Sequence, residues 1–177
     1  MEAKTTFKIV IIGDSGMGKS SYVERFKSGS FLKEHKPTMG VEVSPLGFFT
    51  NKGYVIANVW DCAGKKELGM LEDAYWVGAN GAMIFFDLTN PESYANTKMW
   101  LKKLRFVCPN IPVILCGNKC DLGARINRAD ITLQKSDKLT LYFDLSAKSC
   151  YNQDKPFLHL FRALFKARDL AFVDAEV

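Results

Sequence analysis

The stretch Gly13-Asp14-Ser15-Gly16-Met17-Gly18-Lys19-Ser20 constrains this chain more than any other. It follows a short β-prone run, Phe7–Ile12, and leads into helical text, Lys19–Lys27. A G-x-x-x-x-G-K-S/T loop between a strand and a helix is a phosphate cradle. Its glycines let backbone N–H groups converge on phosphate oxygens, and the helix N-terminus adds a positive field. Lys19 can reach β- and γ-phosphates, and the Ser20 hydroxyl can ligate Mg²⁺. The candidate nucleotide contacts therefore run from Asp14 to Ser21. The loop specifies a nucleoside triphosphate but not its base.

The rest of the chain supplies a sheet for this loop. Strand-like runs at Val41–Thr50 and Tyr54–Asp61 flank Asn51-Lys52-Gly53, a hairpin turn. Further buried strands are expected at Ala82–Asp87, Ile111–Gly117 and Leu139–Leu145. Helices are expected at Leu68–Val77, at Glu92–Val107 after Asn90-Pro91, and at Pro156–Arg168. Alternating strands and helices predict an α/β fold: a six-stranded, mostly parallel sheet with one antiparallel edge strand and helices on both faces. With 177 residues, 47% of them hydrophobic, and no repeat or linker, a single domain over residues 1–177 is expected. Ligands of such sheets bind beyond the carboxyl ends of the strands, where every motif here falls.

A net charge of +5 from scattered Lys and Arg describes a solvated surface, and no direct nucleic-acid contact is inferred from it. Five cysteines at spacings that match no zinc framework read as free thiols in a reducing compartment. No signal peptide, lipidation signal or apolar stretch long enough to span a membrane is present, so no membrane anchor is expected.

Asn118-Lys119-Cys120-Asp121 follows the strand ending at Gly117 and selects the base. The Asp121 carboxylate can accept N1–H and N2–H of guanine, a donor pair that adenine lacks, so an adenine would leave it buried and unpaired. The Lys119 stem can lie over the base, and a backbone N–H of Ser146-Ala147-Lys148 can donate to guanine O6.

This arrangement resembles the Ras superfamily of small GTPases from Phe7 to about Val173, a P-loop NTPase G domain. Within it, Thr38–Val43, Thr50–Gly53, Asn58–Asp61, Asn110–Lys119, Ser146–Ser149 and Lys155–Leu158 are most similar to the Ran branch of nuclear-transport GTPases. Asp14-Ser15-Gly16 is closer to the Rab branch, which stays open as an alternative. The resemblance implies that Phe31 packs on the guanine edge. It implies that Thr38 ligates Mg²⁺ and touches the γ-phosphate as the first switch. Asp61 would hold Mg²⁺ through water, and the Gly64 N–H would meet the γ-phosphate as the second switch. It further implies GTP/GDP and Mg²⁺ as cofactors, a monomer shared between nucleus and cytoplasm, and partners of three kinds: importin/exportin-type transport receptors, Ran-binding proteins and a guanine-nucleotide exchange factor.

Departures from the family pattern bear on catalysis. Lys65 follows Gly64 where the family has the glutamine that orients the attacking water. A protonated lysine has three donors and no acceptor, so it cannot take that water's proton. Slow hydrolysis is expected, with Lys65, Gly64 and Thr38 as the catalytic set. His35 replaces a tyrosine that lids the nucleotide, and also reads as a plain loop histidine. Lys66, Glu67 and Glu72 invert charges in the second switch, and Gln134–Lys138 is less basic than its Ran counterpart. The Ran C-terminal linker, helix and acidic tail have no match after the last helix, an expectation that favours the GTP-like state. Two functions remain: a slow, cycling GTPase switch, or a GTP-loaded module that occupies transport receptors or exchange factors without turnover.

Overall fold

The computed structural model describes residues 4–31, 37–64 and 72–175. Its strands are β1 (Lys4–Gly13), β2 (Val41–Thr50), β3 (Gly53–Cys62), β4 (Gly81–Asp87), β5 (Val113–Asn118) and β6 (Thr140–Asp144). Its helices are α1 (Lys19–Ser28), α2 (Glu72–Trp76), α3 (Pro91–Val107), α4 (Leu133–Ser136) and α5 (Lys155–Phe165). The six strands are ordered β2-β3-β1-β4-β5-β6. All neighbours are parallel except the β2–β3 hairpin, as the sequence predicts.

Side-chain alternation along β1 divides the core in two. Ile9 and Ile11 face α1 and α5, packing with Tyr22, Phe157 and Phe161. Val10 and Ile12 face the other way, toward Trp76 of α2 and Trp100 and Leu104 of α3. A strand covered on both faces needs no polar alternation, which is why β4 is apolar and buried over its whole length. The hairpin closes at Thr50, whose Oγ1 donates to Gly53 O at 2.8 Å and accepts from Lys52 N at 3.1 Å.

Several boundaries differ from the sequence reading. Among the described residues the helix expected at 68–77 is confined to Glu72–Trp76; residues 65–71 lie outside the description. The last helix stops at Phe165 rather than Arg168, because Lys166 turns left-handed (φ 52°) and Ala167 N donates to Arg162 O at 3.0 Å. That turn brings buried Leu170 into the core and sets Phe172 beside Thr50 of β2 and stacked on Phe48. The fifth strand runs two residues later at its start than expected, with Pro112 contributing only its carbonyl, to Ala82 N. α4 and the 3₁₀ turns at Cys120–Leu122 and Arg128–Asp130 are too short to leave a periodic signal. No described helix is long and apolar enough to cross a membrane.

Candidate functional site

The carboxyl ends of β1, β4, β5 and β6 share one edge of the sheet, and the predicted motifs meet there. At the phosphate end, Gly18 caps α1 in a left-handed conformation (φ 86°), and a β-carbon on it would lie 2.2 Å from Asn118 Nδ2. Glycine is required on both counts. Lys19, only 6% exposed, arches over the loop, and its Nζ donates to Gly13 O at 2.9 Å and to Asp14 O at 2.6 Å.

Ser15, Met17 and Ser20 line a depression closed by Thr38 and Gly64. Ser20 Oγ lies 2.8 Å from Thr38 Oγ1 and donates to Asp61 Oδ2 at 2.5 Å. Asp61 is buried, burial raises the pKa of its carboxyl, and its Oδ1 has no hydrogen-bond partner among the described residues. Two hydroxyls and one carboxylate with an unpaired buried oxygen form the hard-oxygen donor set of a Mg²⁺ that keeps several waters. These residues fit that ion. Gly64 presses on the loop from the other side: a β-carbon there would fall 2.2 Å from Ser15 N. Lys65, Lys66, Glu67 and His35 lie outside the described residues, as does the Glu72 side chain.

Beside the phosphate loop lies a cavity of about 320 Å³. Ser21, Phe31, Lys119, Leu122 and Ala147-Lys148 are among the residues that line it. Phe31 also packs on the core, so it joins pocket and core. Asn118 is 2% exposed, and protein groups satisfy both ends of its amide. Nδ2 donates to Met17 O at 2.9 Å, and Oδ1 accepts from Ala147 N at 3.2 Å. Asn118 thus ties the phosphate loop to the Ser146–Lys148 loop. Lys119 takes a left-handed conformation (φ 63°), and its Nζ bridges Gly16 O at 2.9 Å and Asp87 Oδ2 at 2.8 Å. Burial alone would raise the Asp87 carboxyl, but hydrogen bonds from Lys119 and Thr89 outweigh it and hold it below its ordinary value.

Asp121 is exposed at the cavity. Ser146 Oγ donates to its Oδ1 at 2.7 Å, while Oδ2 has no protein hydrogen bond among the described residues. Discrimination against a base without two adjacent donors therefore arises when the base itself buries this carboxylate.

Sequence reasoning missed four contributors. Asp14 was expected among the nucleotide contacts, but its carboxylate turns to α3, accepting from Asn96 Nδ2 at 2.6 Å and Trp100 Nε1 at 2.8 Å. Asn96 and Trp100 are one turn apart, and a polar residue above a buried tryptophan was the available signal. Arg25 donates to Ala147 O at 3.1 Å, Lys148 O at 2.5 Å and Gly29 O at 2.8 Å, joining α1 to the base loop. Asp87, a carboxylate at the end of a wholly apolar strand, was visible as an anomaly in its run.

The family model that matches the chain is that of the Ras family, over residues 8–166.

Proposed function

Because the chain belongs to the Ras family and is a GTP-binding switch domain, we propose that it is a Ran-like switch of nucleocytoplasmic transport with impaired GTP hydrolysis. The observation that carries the impairment is the placement of Gly64. It presses on the phosphate loop at Ser15 N, and the resemblance puts the water-orienting residue next after it in the chain. That residue is Lys65, which cannot accept a proton from water. Ras-family GTPases bind GTP and GDP, generally with Mg²⁺. In this chain Ser20, Thr38 and, through water, Asp61 would hold the ion, which when bound neutralises charge between the β- and γ-phosphates. Asp121 and the Ser146–Lys148 loop read the guanine, Phe31 packs on its edge, the Lys119 stem lies over its plane, and Lys19 serves the phosphates.

The transport role rests on the Ran-like stretches of the sequence, above all Thr38–Val43 and Asn110–Lys119. It brings importin/exportin-type receptors, Ran-binding proteins and an exchange factor as partners, and a monomer moving between nucleus and cytoplasm. Lys65 also favours a second reading, a GTP-loaded module that holds receptors or exchange factors without turnover.

The test is single-turnover hydrolysis of bound GTP with Mg²⁺, wild type beside Lys65→Gln. Wild type is expected below roughly 3–5 × 10⁻⁴ s⁻¹, the general figure for unassisted hydrolysis by Ras, with Lys65→Gln faster. Equal rates would overturn the impairment. Binding of an importin-type receptor to the GTP-loaded form but not the GDP-loaded form supports transport. Binding in neither form removes that role and leaves the Rab-like trafficking alternative.

A further inference from the structure

A groove runs between α5 and the edge strand β6, with a volume of about 590 Å³, and none of its lining residues lines the nucleotide cavity. His159, Arg162 and Lys166 stand along one side at helical spacing, and Arg168 follows the left-handed turn that ends α5. Leu141, 48% exposed, and Ala163 supply apolar surface between them. We propose that this groove docks an acidic peptide segment of a partner protein, one that carries apolar side chains between its carboxylates.

Charge makes the first argument. Among the described residues, none of His159, Arg162, Lys166 and Arg168 forms an ion pair. α5 itself contains no acidic residue, and Lys155 extends the same basic stripe to its first turn, against the helix dipole. The nearby carboxylates are committed elsewhere: Asp144 to Arg128, and Asp169 to Lys52. Like charges at this spacing cost stability unless an anion answers them.

Rigidity makes the second. Arg162 is held by its Nε–H donating to Leu170 O at 2.8 Å, which leaves the outer edge of the guanidinium for a carboxylate. The His159 ring rests on Phe143 with centroids 4.7 Å apart. The Arg162 cation and the His159 ring are therefore fixed before any ligand arrives, which lowers the entropy cost of binding.

Shape selects the class of partner. The site is concave and of side-chain dimensions, whereas a lipid surface requires a basic face that can lie flat on it. Single-stranded nucleic acid stacks its bases on broad exposed rings, and no Phe, Tyr or Trp is among the residues lining this groove. Exposed Leu141 suits a peptide whose leucine or phenylalanine falls between acidic residues.

The test uses the full chain and a fluorescein-labelled peptide of alternating glutamate and leucine, read by anisotropy. Saturable binding is expected, weakened about tenfold or more by Lys166→Glu/Arg168→Glu. Leu141→Ser is expected to weaken it as well. The control Lys98→Glu/Lys102→Glu reverses two exposed charges on α3 and is expected to change binding less than about twofold. Hydrogen exchange of the unmodified chain is expected to show peptide-dependent protection confined to β6 and α5. That readout stands even if a variant folds poorly. Equal loss in the α3 control, absence of saturable binding, or tighter binding to phosphatidylserine vesicles than to the peptide would each overturn the proposal.

Discussion

Asp14 sits inside the phosphate loop, yet its carboxylate is engaged by α3. Asn96 and Trp100 each donate to one of its oxygens. Hydrogen bonds to a charged group are the stronger kind. Asn96→Ala removes one of them and frees the loop to sample conformations that do not grip phosphate. Release of a fluorescent GDP analogue is expected to speed up by roughly tenfold, the equivalent of about 1.5 kcal/mol, without loss of guanine preference. Asp61 has the opposite character. Its buried, unpartnered oxygen is costly whenever no cation answers it. Asp61→Asn is expected to stabilise the nucleotide-stripped protein by about 1 kcal/mol and to abolish the further stabilisation that Mg²⁺ brings with nucleotide, both read by thermal unfolding. The placement of Lys19, Ser20, Lys119 and Asp121 at the site was legible in local motif spacing, and that of Thr38 through the family resemblance. Asn96, Trp100 and Arg25 were not, since their partners lie on other elements and no pattern along the chain encodes that meeting.

The element α3 is fixed at both ends by side chains. At its start Asn90 accepts from Glu92 N and Ser93 N; near its end Arg105 reaches Asp137, with Nε–Oδ2 at 2.8 Å and Nη2–Oδ1 at 3.0 Å. Arg105 Nη1 also donates to Ile111 O at 2.6 Å, so one guanidinium joins α3 to the approaches of β5 and β6. Arg105→Ala is expected to cost about 2–3 kcal/mol, because it leaves a mostly buried carboxylate and a carbonyl unpaired. The same pair predicts a pH dependence. The hydrogen bonds from Arg105 hold the Asp137 carboxyl below its ordinary value of 3.8. A lowered folded pKa contributes stability above the unfolded value and loses it as pH falls through the folded one. The stability gap between wild type and Asp137→Asn, measured by urea unfolding, is therefore expected to be full at neutral pH and to close below about pH 4. Strand order and hairpin were readable from apolar runs and turn residues, because both faces of the sheet are covered. The end of α5 was not. Lys166 has no special propensity for a left-handed turn, and the chain reverses there because Leu170 and Phe172 are drawn into the core.

For the whole molecule, the nucleotide is a structural component as well as a signal. The phosphate loop, Thr38 and the Ser146–Lys148 loop line two spaces that the described residues leave open. Stripping with a chelator and phosphatase is expected to lower stability by about 4 kcal/mol relative to a thousandfold excess of ligand over its Kd, a fall in Tm of roughly 8–16 °C for a chain of this size. The hydrolysis block, if it resides in Lys65, leaves this stabilisation intact, so Lys65→Gln should match wild type in the melt while differing in turnover. The chain's three tryptophans, Trp60, Trp76 and Trp100, have a consequence of their own. Trp100 bonds to the phosphate loop, Trp76 belongs to the helix after the second switch and lies 6.3 Å from it, and the Trp60 ring faces the Lys8 ammonium at 3.7 Å. Trp100 thus adjoins the nucleotide site directly, and Trp76 through its contact with Trp100. The colour and brightness of its unlabelled ultraviolet emission should report, in real time, which nucleotide it holds.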